Sequence, residues 1–386
     1  MKRREFLRGA AAGVIGSLGM TLAACGGAPA TTSPDAPTDG EPEAQAPAQG
    51  SSLPAVEWRM GTSWPISLDT IYGGATVLAE RVSELTNGMF KITTYPAGEL
   101  FGGLEVLQNV QQGTVESGHS AMYYYTGMSP AWGIATSLPF GLTATQMNAW
   151  FYHGGGNELL DELAAEFSTI IFPAGNTGTQ MGGWFRQEIN TVADLQGLKV
   201  RIPGLGGQVI ARLGAVVQVV PGGEIFQALS TGAVDAAEWV GPYDDQKLGL
   251  QDAAEYYYSP GWWEPGPALH AFAGLDAWNA LPVEYQRVFK VASWESNLNM
   301  ISKYEALNGT ALQELLAGGT QLRVFSDEIM AEAQTQAFEL YEETAAEDST
   351  FRAIFEPWKD FRANVFGWNS GNEATFTNFV YNNRNW

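Results

Sequence analysis

One arginine in this 386-residue chain is placed for capturing an anion. Arg201 closes a short apolar run, flanked by Val200 and Ile202 in the alternation of a half-buried strand, and Pro203-Gly204 then turns the chain. A guanidinium is planar, permanently charged and forked, so at the mouth of a cleft it suits two-pronged capture of a carboxylate. The plainer reading is an internal ion pair with Asp194 or Glu188. Further along, Glu238 ends another apolar run, Gly232-Ala233-Val234-Asp235-Ala236-Ala237.

Two more polar residues stand in unusual company. Gln180 opens the run Gln180-Met181-Gly182-Gly183-Trp184-Phe185, where its amide oxygen could serve a hard cation or a ligand hydroxyl, or simply bond backbone. Glu264 sits in Trp262-Trp263-Glu264-Pro265-Gly266. Ionised carboxylates are rarely buried unless paired or coordinated, so Glu264 is either a site residue or an exposed loop acid beside surface aromatics. Tyr123, Tyr124 and Tyr125 could line a pocket or pack in the core with hydroxyls at the rim.

These residues need a frame, and the periodicity describes alternating strands and helices. Val56 to Gly61 alternates as a strand and runs into the turn Thr62-Ser63-Trp64-Pro65, at the end where open α/β sheets bind ligands. Ile71, Ala75, Leu78, Val82 and Leu85 then mark an amphipathic helix closed by Asn87-Gly88. A strand follows at Phe90 to Thr93, a helix through Leu104, Leu107 and Val110, and a strand from Gly118 to Tyr125. One helical stretch is expected from Thr145 to Phe167, a strand over Thr169 to Pro173, and a polar, glycine-rich crossing between domains from Ala174 to Gln180. Thr191 to Asp194 reads as a capping box ahead of the Arg201 strand. Beyond it come strand Val216 to Val220, helix Glu224 to Ser230, a return to the sheet at Gly232 to Trp239, and strand Leu269 to Leu275. A long helix is expected from Pro282 to Leu316 and another from Ser326 to Ala346. The tail from Phe351 is too aromatic to be free, so it packs on the body or on a second subunit.

Several chemistries are excluded. The Gly204-Leu205-Gly206-Gly207 cluster has Val209 where a dinucleotide fingerprint needs its third glycine, and no Gly-Lys-Ser/Thr follows. His119, His153 and His270 share no metal spacing, and there is no Gly-x-Ser-x-Gly elbow. The formal charge of −22 argues against nucleic acid and anionic lipid surfaces, and an anionic ligand needs a local positive group such as Arg201.

The first residues give the compartment. Lys2-Arg3-Arg4-Glu5-Phe6-Leu7-Arg8 followed by the short apolar stretch Gly9 to Leu22 reads as a twin-arginine export signal. Leu22-Ala23-Ala24-Cys25 has the form of a lipoprotein processing site, with an ordinary signal-peptidase site as the alternative. Cys25 is the sole cysteine, so a mature domain beyond it has no thiol for a disulfide or a nucleophile. Gly26 to about Pro54 lacks aromatic residues and reads as a tether.

The export signal, the KVRIPG of residues 199–204, the run ALSTGAVDAAEW and the WNALPVEYQ of residues 278–286 together resemble the solute-binding subunit of a tripartite ATP-independent periplasmic (TRAP) transporter, DctP type. Residues TQMGGWF at 179–185, EWVGPYDD at 238–245 and WWEPG at 262–266 are most similar to the subgroup that binds 2-oxo acids and lactate. That resemblance implies a two-domain α/β, periplasmic binding protein-like fold with hinge strands and a long connecting helix. It divides the chain into a signal (1–25), a linker (26–54), domain I (55–178 and 266–308), domain II (179–265 and 309–350) and a C-terminal tail (351–386).

The same resemblance implies that Arg201 holds the ligand carboxylate and that Gln180, Glu238, the Trp239 carbonyl and Glu264 hold a cation. Oxygen-only donors suit Ca²⁺ or Na⁺, and two carboxylates favour Ca²⁺. Tyr124, Tyr125 and Phe185 are expected as pocket walls. A 2-oxo acid such as pyruvate, or lactate, would be delivered to a membrane permease by a protein that is not an enzyme and forms a homodimer through its C-terminal helices. The competing classes are an exported glycoside hydrolase using Glu238 and Glu264, which Arg201 disfavours by holding a nearby acid ionised when one of the pair must be protonated, and a ligand sensor.

Overall fold

A computed structural model describes residues 53–383, so the export signal, Cys25 and nearly all of the tether lie outside the described residues. The chain opens as the sequence pattern predicts, with β1 (Val56–Thr62), α1 (Ile71–Leu85), β2 (Phe90–Tyr95), α2 (Val106–Gln111) and β3 (Ser117–Ser120). Helix α1 buries Ile71, Ala75, Leu78 and Val82 on one face and ends where Asn87 and Gly88 take positive φ, 50° and 76°. The strand expected to reach Tyr125 stops at Ser120, and Met122–Tyr125 is a 3-10 turn instead. Thr136 Oγ1 takes the Tyr123 amide at 3.1 Å, and the period changes from two to three, which changes which tyrosines face inward.

Short helix α3 (Trp132–Thr136) leads to α4 (Ala144–His153) and α5 (Gly156–Glu166). The sequence reads these last two as one helix, but Gly154 caps α4 and Gly155, at φ 84°, turns the chain before α5. Strand β4 (Thr169–Asn176) crosses to the second half of the molecule. There lie β5 (Gly183–Phe185), β6 (Lys199–Arg201), α6 (Gly204–Arg212), β7 (Val216–Gln218), α7 (Ile225–Thr231), β8 (Ala236–Ala237), α8 (Pro242–Leu248) and β9 (Tyr256–Ser259). The chain returns through β10 (Ala268–Gly274) and α9 (Leu275–Ala280) to the 35-residue α10 (Val283–Ala317), followed by β11 (Gln321–Val324), α11 (Asp327–Glu347), α12 (Ser349–Gly371) and α13 (Glu373–Asn382).

Two mixed sheets result, ordered β2-β1-β3-β10-β4 and β11-β9-β5-β8-β6-β7, each the centre of an α/β lobe. Strands β9 and β11 escape sequence reading because one is a tyrosine run and the other is solvent-facing at the sheet edge. Helix α10 packs on α1 and β4 of the first lobe and on α8 of the second. Close approach comes from small residues: Ser296 Oγ lies within hydrogen-bond distance of the carbonyls of Gly74 (2.8 Å) and Ala174 (2.7 Å), which share its one proton. A Cβ on Gly74 would lie 2.4 Å from Met300 Cε. The tail divides in two. Phe351, Ile354, Phe355 and Trp358 of α12 are buried on the body, whereas Trp368, Phe376 and Phe379 are more than 65% exposed. Among the described residues no helix is long and apolar enough to cross a membrane.

Candidate functional site

Strands β6 and β8 are parallel neighbours with Arg201 opposite Ala237, and the Glu238 amide donates to the Arg201 carbonyl at 3.2 Å. Arg201 and Glu238 therefore leave the sheet together at its carboxyl edge, the edge where such sheets take ligands. Both side chains are buried and they form an ion pair through Arg201 Nη1. Nη1 also donates to the Glu238 carbonyl at 2.8 Å, and Nε donates to the Val220 carbonyl at 3.2 Å. The partners considered from sequence are engaged elsewhere: Glu188 accepts from Arg323 at 2.5 Å, and Asp194 accepts the Asn190 and Thr191 amides, each at 2.9 Å.

Gln180 and Glu264 come from the two segments that cross between the sheets. The Gln180 amide donates to the Glu264 carbonyl at 3.1 Å and the Gly261 amide to the Gln180 carbonyl at 2.8 Å, while Asn176 Nδ2 reaches the Gly266 carbonyl at 3.0 Å. Gly183, at φ 83°, lets this crossing lie against β8, since a Cβ there would meet the Ala237 carbonyl oxygen at 2.6 Å. Glu264 is thus a buried acid at the crossing and not an exposed loop residue.

Four polar atoms of these residues are buried without a hydrogen-bond partner: Arg201 Nη2, Gln180 Oε1, Glu238 Oε2 and Glu264 Oε2. The Trp239 carbonyl accepts no hydrogen bond among the described residues. Buried polar groups are nearly always paired, so this concentration of orphans marks a place built for something else. Electrostatics agree. Burial pushes the Glu238 carboxyl up to about 7 despite Arg201, and burial, then Glu238, pushes Glu264 well above the usual carboxylate range. One guanidinium cannot neutralise two buried carboxylates, and a cation would. Apart from Arg201 Nη2 the unpaired atoms are oxygens, the atom type that suits a hard cation; among the described residues no three His, Cys, Asp or Glu side chains form a metal-holding group.

Aromatic rings enclose this group. The Arg201 guanidinium carbon lies 5.4 Å from the Trp239 ring centre, and Tyr124 lies beside Arg201 with its hydroxyl raised to about 12 by burial. Two sequence candidates are not brought here. Tyr125 donates to Ser120 Oγ at 3.0 Å and accepts the Leu107 amide at 3.3 Å, inside the first lobe. Phe185 packs against Tyr258 and Phe325, on the face of its sheet opposite Trp184, as strand alternation requires. Tyr123 takes the place expected of Tyr125, because the 3-10 turn directs it toward Glu264. Trp64, read from sequence only as a turn residue, packs on both Tyr124 and Trp239 at 6.3 and 6.4 Å. His119 and His270 are fully buried, and burial lowers them to about 4 and about 3, so both are neutral.

Comparison with known proteins gives the family. Residues 60–348 match the model of bacterial extracellular solute-binding protein family 7. A monocarboxylate 2-oxoacid-binding periplasmic protein of Nostoc sp. is 57% identical over 330 residues, covering 86% of this chain and 90% of that protein. A TRAP transporter solute-binding protein of Bordetella bronchiseptica, a dimer with calcium and picolinate bound in one active site and the other apo, is 44% identical. It has a TM-score of 0.84 and covers 85% of this chain and 98% of its own. A TRAP solute-binding protein of Pseudoalteromonas atlantica with sodium and pyruvate bound is 36% identical, with a TM-score of 0.81, covering 84% and 98% of the two chains.

Proposed function

The chain belongs to family 7 of the bacterial extracellular solute-binding proteins, which are receptors and not enzymes, and from that premise we propose that it captures a small 2-oxo monocarboxylate through Arg201 and a bound cation. The observation that carries this is the set of orphaned atoms on Arg201, Gln180, Glu238 and Glu264. Ca²⁺ or Na⁺ would be held by the Gln180 side-chain oxygen, the two carboxylates and the Trp239 carbonyl, and its charge would let an anion sit beside two acids. Arg201 keeps its Nη1 on Glu238 and offers Nη2 to the ligand carboxylate. Pyruvate is the reference ligand, with longer 2-oxo acids and lactate as competitors, and the similar proteins that hold pyruvate or picolinate with a cation support the reading.

The two lobes, residues 55–178 with 266–308 and 179–265 with 309–350, close on the ligand by movement at the crossing segments and α10. Closure is favoured because Arg201, Gln180, Glu238 and Glu264 belong to the second lobe while Trp64, Tyr123 and Tyr124 reach them from the first, so a ligand held among them ties the two lobes together. The closed form is then handed to a TRAP permease. The family places the domain outside the cytoplasm. Export by the twin-arginine route, anchoring at Cys25 and dimerisation through the C-terminal helices complete the proposal, the last resting on the exposed Trp368, Phe376 and Phe379. The test is calorimetry with pyruvate, lactate and longer 2-oxo acids, before and after cation removal by chelation and dialysis. Binding is expected only with the cation, and affinity unaltered by cation removal or by Arg201→Ala would reject the reading.

A further inference from the structure

We propose that Trp64 sets how long a ligand side chain the site accepts, and that His119 is the positioning residue that holds its indole in place; the proposal deepens the reading just given. Strands β1 and β3 are parallel neighbours with Thr62 opposite His119, so Trp64 and His119 stand at the same carboxyl edge of the first sheet. Their backbones are joined by the Ser63 amide donating to the His119 carbonyl at 3.2 Å, and the hydroxyls of Ser63 and Ser120 lie 2.6 Å apart. Trp64 Nε1 donates to His119 Nδ1 at 2.7 Å. An indole nitrogen only donates, so Nδ1 is the unprotonated nitrogen, and the ring proton sits on Nε2, facing the Ala174 carbonyl at 3.3 Å.

Both side chains are buried, 1% and 0% exposed. The Trp64 ring packs on Tyr124 and Trp239, the two aromatics beside Arg201, which puts it one ring away from the guanidinium. The polar orphans gather at the Arg201 end, where the carboxylate and 2-oxo oxygen belong, which leaves the ligand's hydrocarbon end for this aromatic wall. The Trp239 indole N–H has no partner, whereas that of Trp64 is tethered and cannot swing aside to admit a longer chain. The favoured class is therefore the shortest 2-oxo acids, with branched or extended ones rejected by Trp64.

The test is calorimetry on the cation-loaded protein with pyruvate and with 4-methyl-2-oxopentanoate, read as the ratio of the two affinities. Trp64→Ala is expected to shift that ratio by about tenfold or more toward the longer acid, since one methylene in a tight pocket is worth that much. His119→Leu, which removes the acceptor, should relax the ratio in the same direction, and His119→Asn, whose side-chain oxygen takes the place of Nδ1, should restore it. Trp64→Phe tests the same bond if His119→Leu does not fold. A wild-type ratio retained in Trp64→Ala overturns the specificity role, and equal relaxation in His119→Leu and His119→Asn overturns the positioning role. Wild-type protein that binds neither acid would instead sink the functional reading, and this proposal with it.

Discussion

Replacing Arg201 by methionine separates what the guanidinium does for the fold from what it does for the ligand. In the folded protein the side chain is fully buried and answers Glu238 twice and Val220 once, while Nη2 is unpaired. Methionine fills much of the same volume but strands the Glu238 carboxylate, and breaking one side of a buried ion pair costs about 3–5 kcal/mol of stability. Adding Glu238→Gln should return most of that loss, because removing both charges leaves no buried ion unpaired. Affinity should not return. Losing a buried charge-assisted partner costs about 2–5 kcal/mol of binding, which raises the Kd for pyruvate roughly 30-fold to several thousand-fold. Urea denaturation and calorimetry on the single and double variants measure the two quantities. A folded Arg201→Met protein with wild-type affinity, or Arg201→Lys binding as tightly as wild type, would refute the forked clamp.

Adding Ca²⁺ at about a hundred times its Kd should stabilise the protein by about 2.7 kcal/mol, seen in a thermal melt as a rise of about 4 °C that chelation reverses. Asp69, ahead of α1, accepts from Lys303 Nζ at 2.8 Å and from Lys247 of α8, joining the first lobe to the second. These groups are partly exposed, so Asp69→Asn should weaken ligand binding only about two- to fivefold, and less at high salt, by calorimetry at two ionic strengths. Burial raises Asp244 to about 7 although Tyr304 donates to it at 2.6 Å. Its folded pKa exceeds its unfolded one, so its contribution is full below about pH 4 and is lost as pH rises through 7. Relative to wild type, Asp244→Asn should gain stability with rising pH by up to about 1.4 kcal/mol per unit between pH 5 and 7, in urea titrations. A pH-independent difference would show that Asp244 ionises freely.

What could be read in advance follows from how local each signal is. The first four elements announce themselves through alternation and through caps such as Asn87-Gly88, because each is settled by neighbours in sequence. Arg201, Glu238, Gln180 and Glu264 stand out as charges or amides in apolar company, and all four are buried as that company requires. The tyrosine run is different. Whether Tyr123 or Tyr125 faces the site depends on the change from strand to 3-10 turn, which a hydroxyl thirteen residues away, on Thr136, helps to hold. Phe185 has the hydrophobicity of a pocket wall, but its place in a three-residue strand puts it on the opposite face from Trp184. The role of Trp64 rests on a bond to a residue 55 positions later, which no local pattern contains.

Helix α10 extends for 35 residues, a rod of about 50 Å, and is seated on elements of both lobes. Because a continuous helix bends far less readily than a loop, a small rotation at the binding crevice becomes a larger sweep at the rod's far end. Dyes attached near Val283 and on the second lobe's outer helices would turn solute capture into an optical signal, with the distant end serving as the pointer of the gauge.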